Sequence, residues 1–513
     1  MNIKMFAAID LGSFEIAMKI FEISSKGMKE IDHLRHRLSL GSDSYNTGTI
    51  SYKKIDELCK ILNKFSDVMK SYHVTAYKAY GTSALRETIN TMIIRDQIRN
   101  RTGFDVEVLS NSEQRFLDYK SLASKGEDFN RVLEQGTAVV DIGGGNIQIS
   151  LFENDTLVTT HNLRLGVLRI HERIERMRIG KVKAREILEE LIEEELSIFR
   201  KMLGKERNIT NLIVVDDYVS RVVHLGLIDG AKDDFIALDD YLKFLSTLNS
   251  QNDEEIADGM EIPGEDVELL RIASEIVKHL MLDLDARRIW APGVMLCDGI
   301  AYEYAEEKKL KMIAHDFDKD ILAAAAGISK RYMGSRKHNE ILEKMAITIF
   351  DSMKAVHGLS QRARMLLQLS ARLNDCGKFI NITNVGDCSF SIIMNTEMIG
   401  LSHEEREIVA YVVRFFYNDF IYYEELAATA IVHRQAYLTI AKLTAILRVA
   451  GTLSRGQKQK QKEIKASLKD EKLIINVGSE HNLLFEESLF KKSADFFGEV
   501  YSIEPVITHG KLS

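Results

Sequence analysis

One short pattern occurs twice in the chain. Residues 6–24 read FAAIDLGSFEIAMKIFEIS and residues 137–155 read TAVVDIGGGNIQISLFEND. Each runs apolar strand, Asp, apolar residue, Gly, small residue, then a second alternating strand. Asp10 therefore matches Asp141, and Gly12 matches Gly143. Apolar alternation on both sides of a tight polar turn predicts a β-hairpin. Each hairpin heads a mixed stretch. After the first, the periodicity predicts helices near 51–71, 87–101 and 112–124, with strands at 74–81 and 104–109. After the second it predicts strands at 147–152, 156–163 and 211–215, with helices at 166–176 and 182–203. Two similar α/β halves, each opening on the same hairpin, constrain the chain to two lobes with a cleft between them.

The repeated turn has a definite chemistry. An Asp at a strand end, followed by glycines, sets a carboxylate beside backbone N–H groups that can wrap phosphate oxygens. The carboxylates of Asp10 and Asp141 are the candidate Mg²⁺ ligands, directly or through water. Gly143, Gly144 and Gly145 let backbone approach a ligand without a Cβ in the way. Gly12, Ser13 and Asn146 complete the candidate phosphate-binding turns. The segment YGTSALRETIN (80–90) ends a strand in small hydroxyls and starts a helix, so Ser83 and Arg86 join the set as an anion-binding helix start and a guanidinium fork. Residues 163–185 hold eight Lys or Arg against two acids, a candidate basic face.

Composition bounds the rest. The 513 residues are 45% hydrophobic and 28% charged, which excludes a largely disordered chain. A net charge of −8 excludes a general nucleic-acid coat, so no DNA partner is expected and a polyanion must meet a local basic patch. Four scattered cysteines with no CxxC make neither a disulfide framework nor a zinc site, and a reducing cytoplasm is the simplest compartment. The start of the chain lacks the pattern of a secretory signal, and no window reaches an uninterrupted apolar span, so no membrane contact is expected. The segment 253–268 carries eight acids and no base and reads as a solvated loop. From about 310 the pattern turns helical. RGQKQKQK (455–462) reads as a linker, followed by a hairpin at 464–477 and a helix at 488–501. The divisions expected are 1–125, 126–308, 309–455 and 456–513.

In order along the chain, AAIDLGS (7–13), YGTSALRETIN (80–90), LSNSEQRFLDY (109–119), VVDIGGGNIQI (139–149), LRLGVLR (163–169) and APGVMLCDGIAYE (291–303) together resemble the exopolyphosphatase and guanosine pentaphosphate phosphohydrolase (Ppx/GppA) family. The helical region resembles the HD-type domain of its long members through RKHNEI (336–341), ARLNDCGKFIN (371–381), IGLSHEEREIVAYVVRFF (399–416) and LTAILRVAGTL (443–453). The resemblance implies an α/β two-lobed, actin-like (duplicated ribonuclease H-like) core, then an all-α HD-like domain and a small C-terminal α+β domain. It implies a Mg²⁺-dependent phosphohydrolase acting on inorganic polyphosphate or on the 5′ γ-phosphate of pppGpp, and a homodimer. By position, Asp10, Ser13, Arg86, Asp141, Gly143 and Gly144 match the family's phosphate and metal loops.

The chain departs from the family pattern where catalysis resides. The motif S-G-x-E-E-A-R carries its catalytic base at the second Glu. Here the segment is Ser110-Asn111-Ser112-Glu113-Gln114-Arg115-Phe116, which puts Gln114 at that position. An amide orients water but does not accept its proton at neutral pH. Glu113 is the carboxylate one residue away, about 100° around a helix. The motif D-x-G-G-G-S-T-E ends in a Glu, and here Gln148 stands in its place. After strand 211–215, where the family has a Gly-rich turn, this chain has Asp216-Asp217. In the helical region His338 matches the first HD histidine, the His-Asp pair is Asn374-Asp375, and the later Asp is Gly451. Two readings follow. One is a hydrolase using Glu113, Gln114 and Gln148. The other is a non-catalytic sensor of polyphosphate or (p)ppGpp.

Overall fold

The computed structural model describes residues 4–25, 27–154, 156–203, 209–216, 218–260, 262–310, 315–428, 430, 432–454, 464–477 and 484–509. The chain forms two compact units, residues 1–317 and 318–513.

The first unit contains both copies of the repeat. In the first lobe, β1 (Lys4–Leu11), β2 (Glu15–Ser24) and β3 (Gly27–Arg37) run antiparallel, while β4 (Ala76–Gly81) and β5 (Glu107–Val108) continue the sheet in parallel from β1. The order is β3-β2-β1-β4-β5. The second lobe repeats it with β6 (Thr137–Ile142), β7 (Ile147–Glu153), β8 (Thr156–Leu163), β9 (Asn211–Val215) and β11 (Arg288–Trp290), in the order β8-β7-β6-β9-β11. A short antiparallel strand, β10 (Phe235–Ala237), extends that sheet. The duplicated order is the two-lobed arrangement that the repeat implies.

Both faces of the first sheet are covered, which explains the unbroken apolar run Met5–Ile9 in β1. Side chains alternate across a strand. Ala7, Ile9 and Leu11 pack on the helix Tyr52–Ser71 through Leu58, Leu62 and Phe65. Phe6 and Ala8 face the other way, onto Cys297, Ile300, Ala301 and Tyr304 of the helix Leu296–Glu307. Phe6 stacks on Tyr304 with centroids 4.1 Å apart. Each fully buried Leu, Ile or Phe among them contributes roughly 1.5–3 kcal/mol. Inside this sheet's edge, Lys19 of β2 is buried against Asp298 at 3.0 Å. The helix at 296–307, grouped by sequence with the second lobe, is thus part of the first lobe's core. Gly299 permits its approach to the helix Asn111–Ala123, since a Cβ there would fall on the Leu117 backbone.

The local structure departs from the sequence pattern in several places. The expected strand at 104–109 is paired over two residues only. The helix expected at 87–101 is Thr91–Thr102, preceded by the short helix Ser83–Glu87. The acidic segment 253–268 is not a loop. Residues Asp253–Met260 form a helix, and a second begins at Gly264. Asn252 and Glu255 cap the first reciprocally, at 3.1 and 2.9 Å. Ile256 and Met260 are buried, and Asp253 and Asp266 pair with Arg271 and Arg37.

The second unit is helical up to residue 454, with helices Arg336–Ser352, Gln361–Leu373, Val385–Asn395, His403–Tyr417 and Arg434–Ser454. The last of these is, among the described residues, the one helix long and apolar enough to cross a membrane, and most of it is buried inside the unit. The chain ends in a small sheet. Here β12 (Ile464–Lys469) pairs antiparallel with β13 (Lys472–Val477), and β14 (Glu504–His509) pairs parallel to β13 after the helix Leu484–Tyr501. The linker expected at 455–462 lies outside the described residues. Asp375 accepts from Ser335 N at 2.9 Å and Asn339 Nδ2 at 2.8 Å. Asn374 donates to Asn339 Oδ1 at 2.9 Å. His338, half-buried, sits one residue before Asn339. Gly451 lies against the Phe416 ring, which a Cβ would displace.

Candidate functional site

Both hairpin turns open onto one cleft of the first unit. Its lining includes Asp10, Gly12 and Ser13 from the first turn, Asp141, Gly143, Gly144 and Asn146 from the second, and Thr82, Ser83, Gln114 and Asp118. The two turns touch. A Cβ on Gly144 would lie 3.2 Å from that of Ser13. Asp10 and Asp141 hold equivalent places, each at the cleft end of the first strand of its hairpin.

Hydroxyls meet beside the first turn. Ser13 Oγ, Ser83 Oγ and Tyr45 Oη are mutually 2.7 Å apart. Gly145 is buried at this spot, where any side chain would strike Tyr45 and Ser83. Burial raises the Tyr45 phenol above its ordinary range, which keeps it neutral. Arg169 closes the group from the second lobe. Its Nε donates to Gly145 O at 2.9 Å, its guanidinium lies 4.2 Å from the Tyr45 ring centroid, and its Nη2 meets both Glu87 oxygens. Asn146 donates to Asn162 Oδ1 at 2.6 Å, which fixes the far end of the second turn.

The departures from the family pattern lie around Asp141. Gln148 is its antiparallel neighbour in the hairpin and donates Nε2 to Asp141 Oδ2 at 3.3 Å. Gln114 reaches the same oxygen at 3.3 Å from the helix Asn111–Ala123. Each amide oxygen faces an arginine. Arg115 Nε donates to Gln148 Oε1 at 3.0 Å, and Arg86 Nη1 to Gln114 Oε1 at 3.4 Å. Arg86 also donates to Leu109 O at 2.7 Å and does not line the cleft.

Glu113 is not a cleft residue. Its carboxylate accepts from Ser110 N at 2.9 Å while its own N–H donates to Ser110 Oγ, a capping box at the start of the helix. The S-x-x-E spacing at 110–113 carried that signal in the sequence. Asp118, by contrast, was not among the expected site residues and lines the cleft. It lies four residues after Gln114, on the same helix face. Burial first, then the charges of Asp141 and Asp10, holds its carboxyl well above the usual carboxylate range. Asp216 does not point a loose charge at the cleft, because its oxygens accept from Val219 N and Ser220 N at 2.8 Å. Asp217 lies outside the described residues.

These donors do not fit a magnesium ion on Oδ2 of Asp141. Two amide N–H groups already occupy Oδ2, and their partial positive charge opposes a cation there. Among the described residues, no group of three or more His, Cys, Asp and Glu side chains is arranged to hold a metal ion.

Comparison with known proteins bears on this cleft. Residues 19–267 match the model of the Ppx/GppA phosphatase family, and residues 323–495 that of Ppx/GppA phosphatase, domain III. The chain is 21% identical over 494 residues to a guanosine-5′-triphosphate,3′-diphosphate pyrophosphatase of Vibrio atlanticus (strain LGP32), covering 93% of this chain and 92% of the relative. It is 22% identical over 494 residues to the protein of that name from Vibrio vulnificus (strain YJ016), covering 93% of each. The crystal structure of an exopolyphosphatase from Cytophaga hutchinsonii superposes with a TM-score of 0.52 at 17% identity, covering 60% of this chain and 99% of that one. That likeness is one of fold.

Proposed function

Since the chain belongs to the Ppx/GppA phosphatase family, we propose that its cleft takes the end of a phosphoanhydride chain and releases the terminal phosphate. Inorganic polyphosphate and the 5′ end of pppGpp are the two candidate substrates. The observation that carries this reading is the pair of facing turns. Each brings an Asp at a strand end and glycine backbone to the same space, with the Ser13 and Ser83 hydroxyls beside them. Bare backbone and hydroxyl donors suit phosphate oxygens. Phosphoryl transfer asks a protein chiefly to position the chain and neutralise its charge. Gln114 orients the attacking water by hydrogen bonding, and without a carboxylate base at that position the hydrolysis is slow.

A second reading rests on a different observation. Gln114 and Gln148 are both tied to Asp141 and each backed by an arginine, which makes a site built to hold a polyanion rather than to cut it. In that case the protein is a sensor of polyphosphate or (p)ppGpp. Phosphate release from long-chain polyphosphate and from pppGpp by the full chain, against Asp141→Ala, decides between them. Release above that control supports the hydrolase. No release, with calorimetric binding to either polyanion, supports the sensor. Failure to bind or cleave either one would refute the phosphate-chain reading altogether.

A further inference from the structure

The Gln114–Asp141–Gln148 bridge bears on how this cleft handles charge. Gln148 is 1% exposed, Gln114 9% and Arg115 2%. Amide orientation is settled by the arginines. Arg86 and Arg115 are donors only, so the amide groups facing them must be the oxygens. The NH₂ groups therefore face Asp141, and both reach Oδ2. A divalent cation on that oxygen would have to displace both donors. The displaced Gln148 N–H would be left buried and unpaired, which is costly, and that of Gln114 would have to turn into the cleft. Rotating the amides to present oxygen to the cation would turn their N–H groups onto two guanidiniums. Neither route is open without taking the bridge apart.

We propose that this cleft engages its phosphoanhydride ligand with no divalent cation on Asp141, its place being taken by the two arginine-backed amides. The inference rests on the phosphate-chain reading for its ligand, but not for its statement about metal. It separates this chain from any relative with carboxylates at both positions. There the two side chains would repel Asp141 and gather a cation; here they satisfy it.

The experiment uses the full chain and two independent probes. The first is Mn²⁺ alone, titrated and read by electron paramagnetic resonance, with wild type, Asp141→Asn and the double variant Gln114→Glu/Gln148→Glu. Wild type and Asp141→Asn are expected to bind the same amount of Mn²⁺. The double variant is expected to gain about one equivalent and to melt higher with Mn²⁺ than in EDTA. The second probe is polyphosphate of defined length, by calorimetry, in EDTA and in dilute Mg²⁺. Affinities within about threefold of each other are expected, a difference of roughly 0.7 kcal/mol. Mn²⁺ bound by wild type and lost in Asp141→Asn would overturn the proposal. So would a fall in polyphosphate affinity of about a hundredfold or more in EDTA. If the double variant does not fold, the comparison of wild type with Asp141→Asn still decides. If polyphosphate binds in neither buffer and pppGpp likewise, the phosphate-chain reading fails while the Mn²⁺ result stands on its own.

Discussion

Replacing Arg169 with alanine removes a side chain that joins the two lobes at the cleft. Glu87 and Tyr45 belong to the first lobe, Arg169 and Gly145 to the second. The guanidinium Nη2 lies 2.8 and 2.6 Å from the Glu87 oxygens. The pair is 26% and 36% exposed on its two side chains, so solvent screening holds its share to roughly 1 kcal/mol. The charged hydrogen bond to Gly145 O adds about 1.5 kcal/mol. The contact with the Tyr45 ring adds about 0.5 kcal/mol. The loss expected for Arg169→Ala is therefore about 3 kcal/mol. At roughly 2 °C per kcal/mol for a unit of this size, the first unit's transition falls by about 6 °C. Calorimetric melting of the full chain measures it. A double-mutant cycle with Glu87→Gln isolates the ion pair and is expected to give a coupling of about 1 kcal/mol. Arg169→Lys keeps the charge but not the fork, and is expected to recover less than half of the loss. A melting point for Arg169→Ala within about 1 °C of wild type would refute the clasp, as would a coupling near zero.

Three further outcomes are expected. Gly299→Ala drives a methyl into the Leu117 backbone and should destabilise the first unit by about 2–3 kcal/mol, while the exposed-site control Gly180→Ala changes little; equal melts for the two would count against the close helix approach. His33 titrates at about 4, lowered by burial and by Lys19 and Arg35. Between pH 6.5 and 4 the unfolded chain binds this proton and the folded chain does not, so stability is full above 6.5 and is lost toward pH 4, by about 2 kcal/mol after solvent screening of this partly exposed ring; His33→Gln should remove that share of the pH dependence in denaturant titrations, and an unchanged slope would be contrary evidence. Asn339→Ala leaves Asp375 and Asn374 short of partners in the second unit and should cost about 2–3 kcal/mol, measured as a shift of the urea midpoint, whereas a shift under about 0.5 kcal/mol would contradict the role of that network.

The two lobes and their Asp-bearing turns were legible in the sequence because a hairpin is a local object. Alternation and a Gly-rich turn specify it within about 20 residues. Asp10 and Asp141 reach equivalent places for that reason. The asymmetry between the copies was also local. Asp141 faces Gln148 across its hairpin, while Asp10 faces Ala17. The role of Glu113 was written in a capping spacing, and the acidic run at 253–268 hid a capped helix with two buried apolar residues.

What needed tertiary structure was convergence. Gln114 lies on a helix far from the hairpin in sequence, yet shares one oxygen of Asp141 with Gln148. Arg115 of that same helix stands behind Gln148, and Arg86 arrives behind Gln114 from the short helix Ser83–Glu87. No periodicity encodes such a meeting. It depends on where the helix Asn111–Ala123 is seated, which is set by Gly299 against Leu117 and by apolar burial of the helix Leu296–Glu307 on the first sheet. Local spacing therefore determined the two Asp-bearing turns that line the cleft. Long-range packing decided that two amide N–H groups meet on one oxygen of Asp141, because side-chain donors find an acceptor only once burial has fixed the backbones that carry them.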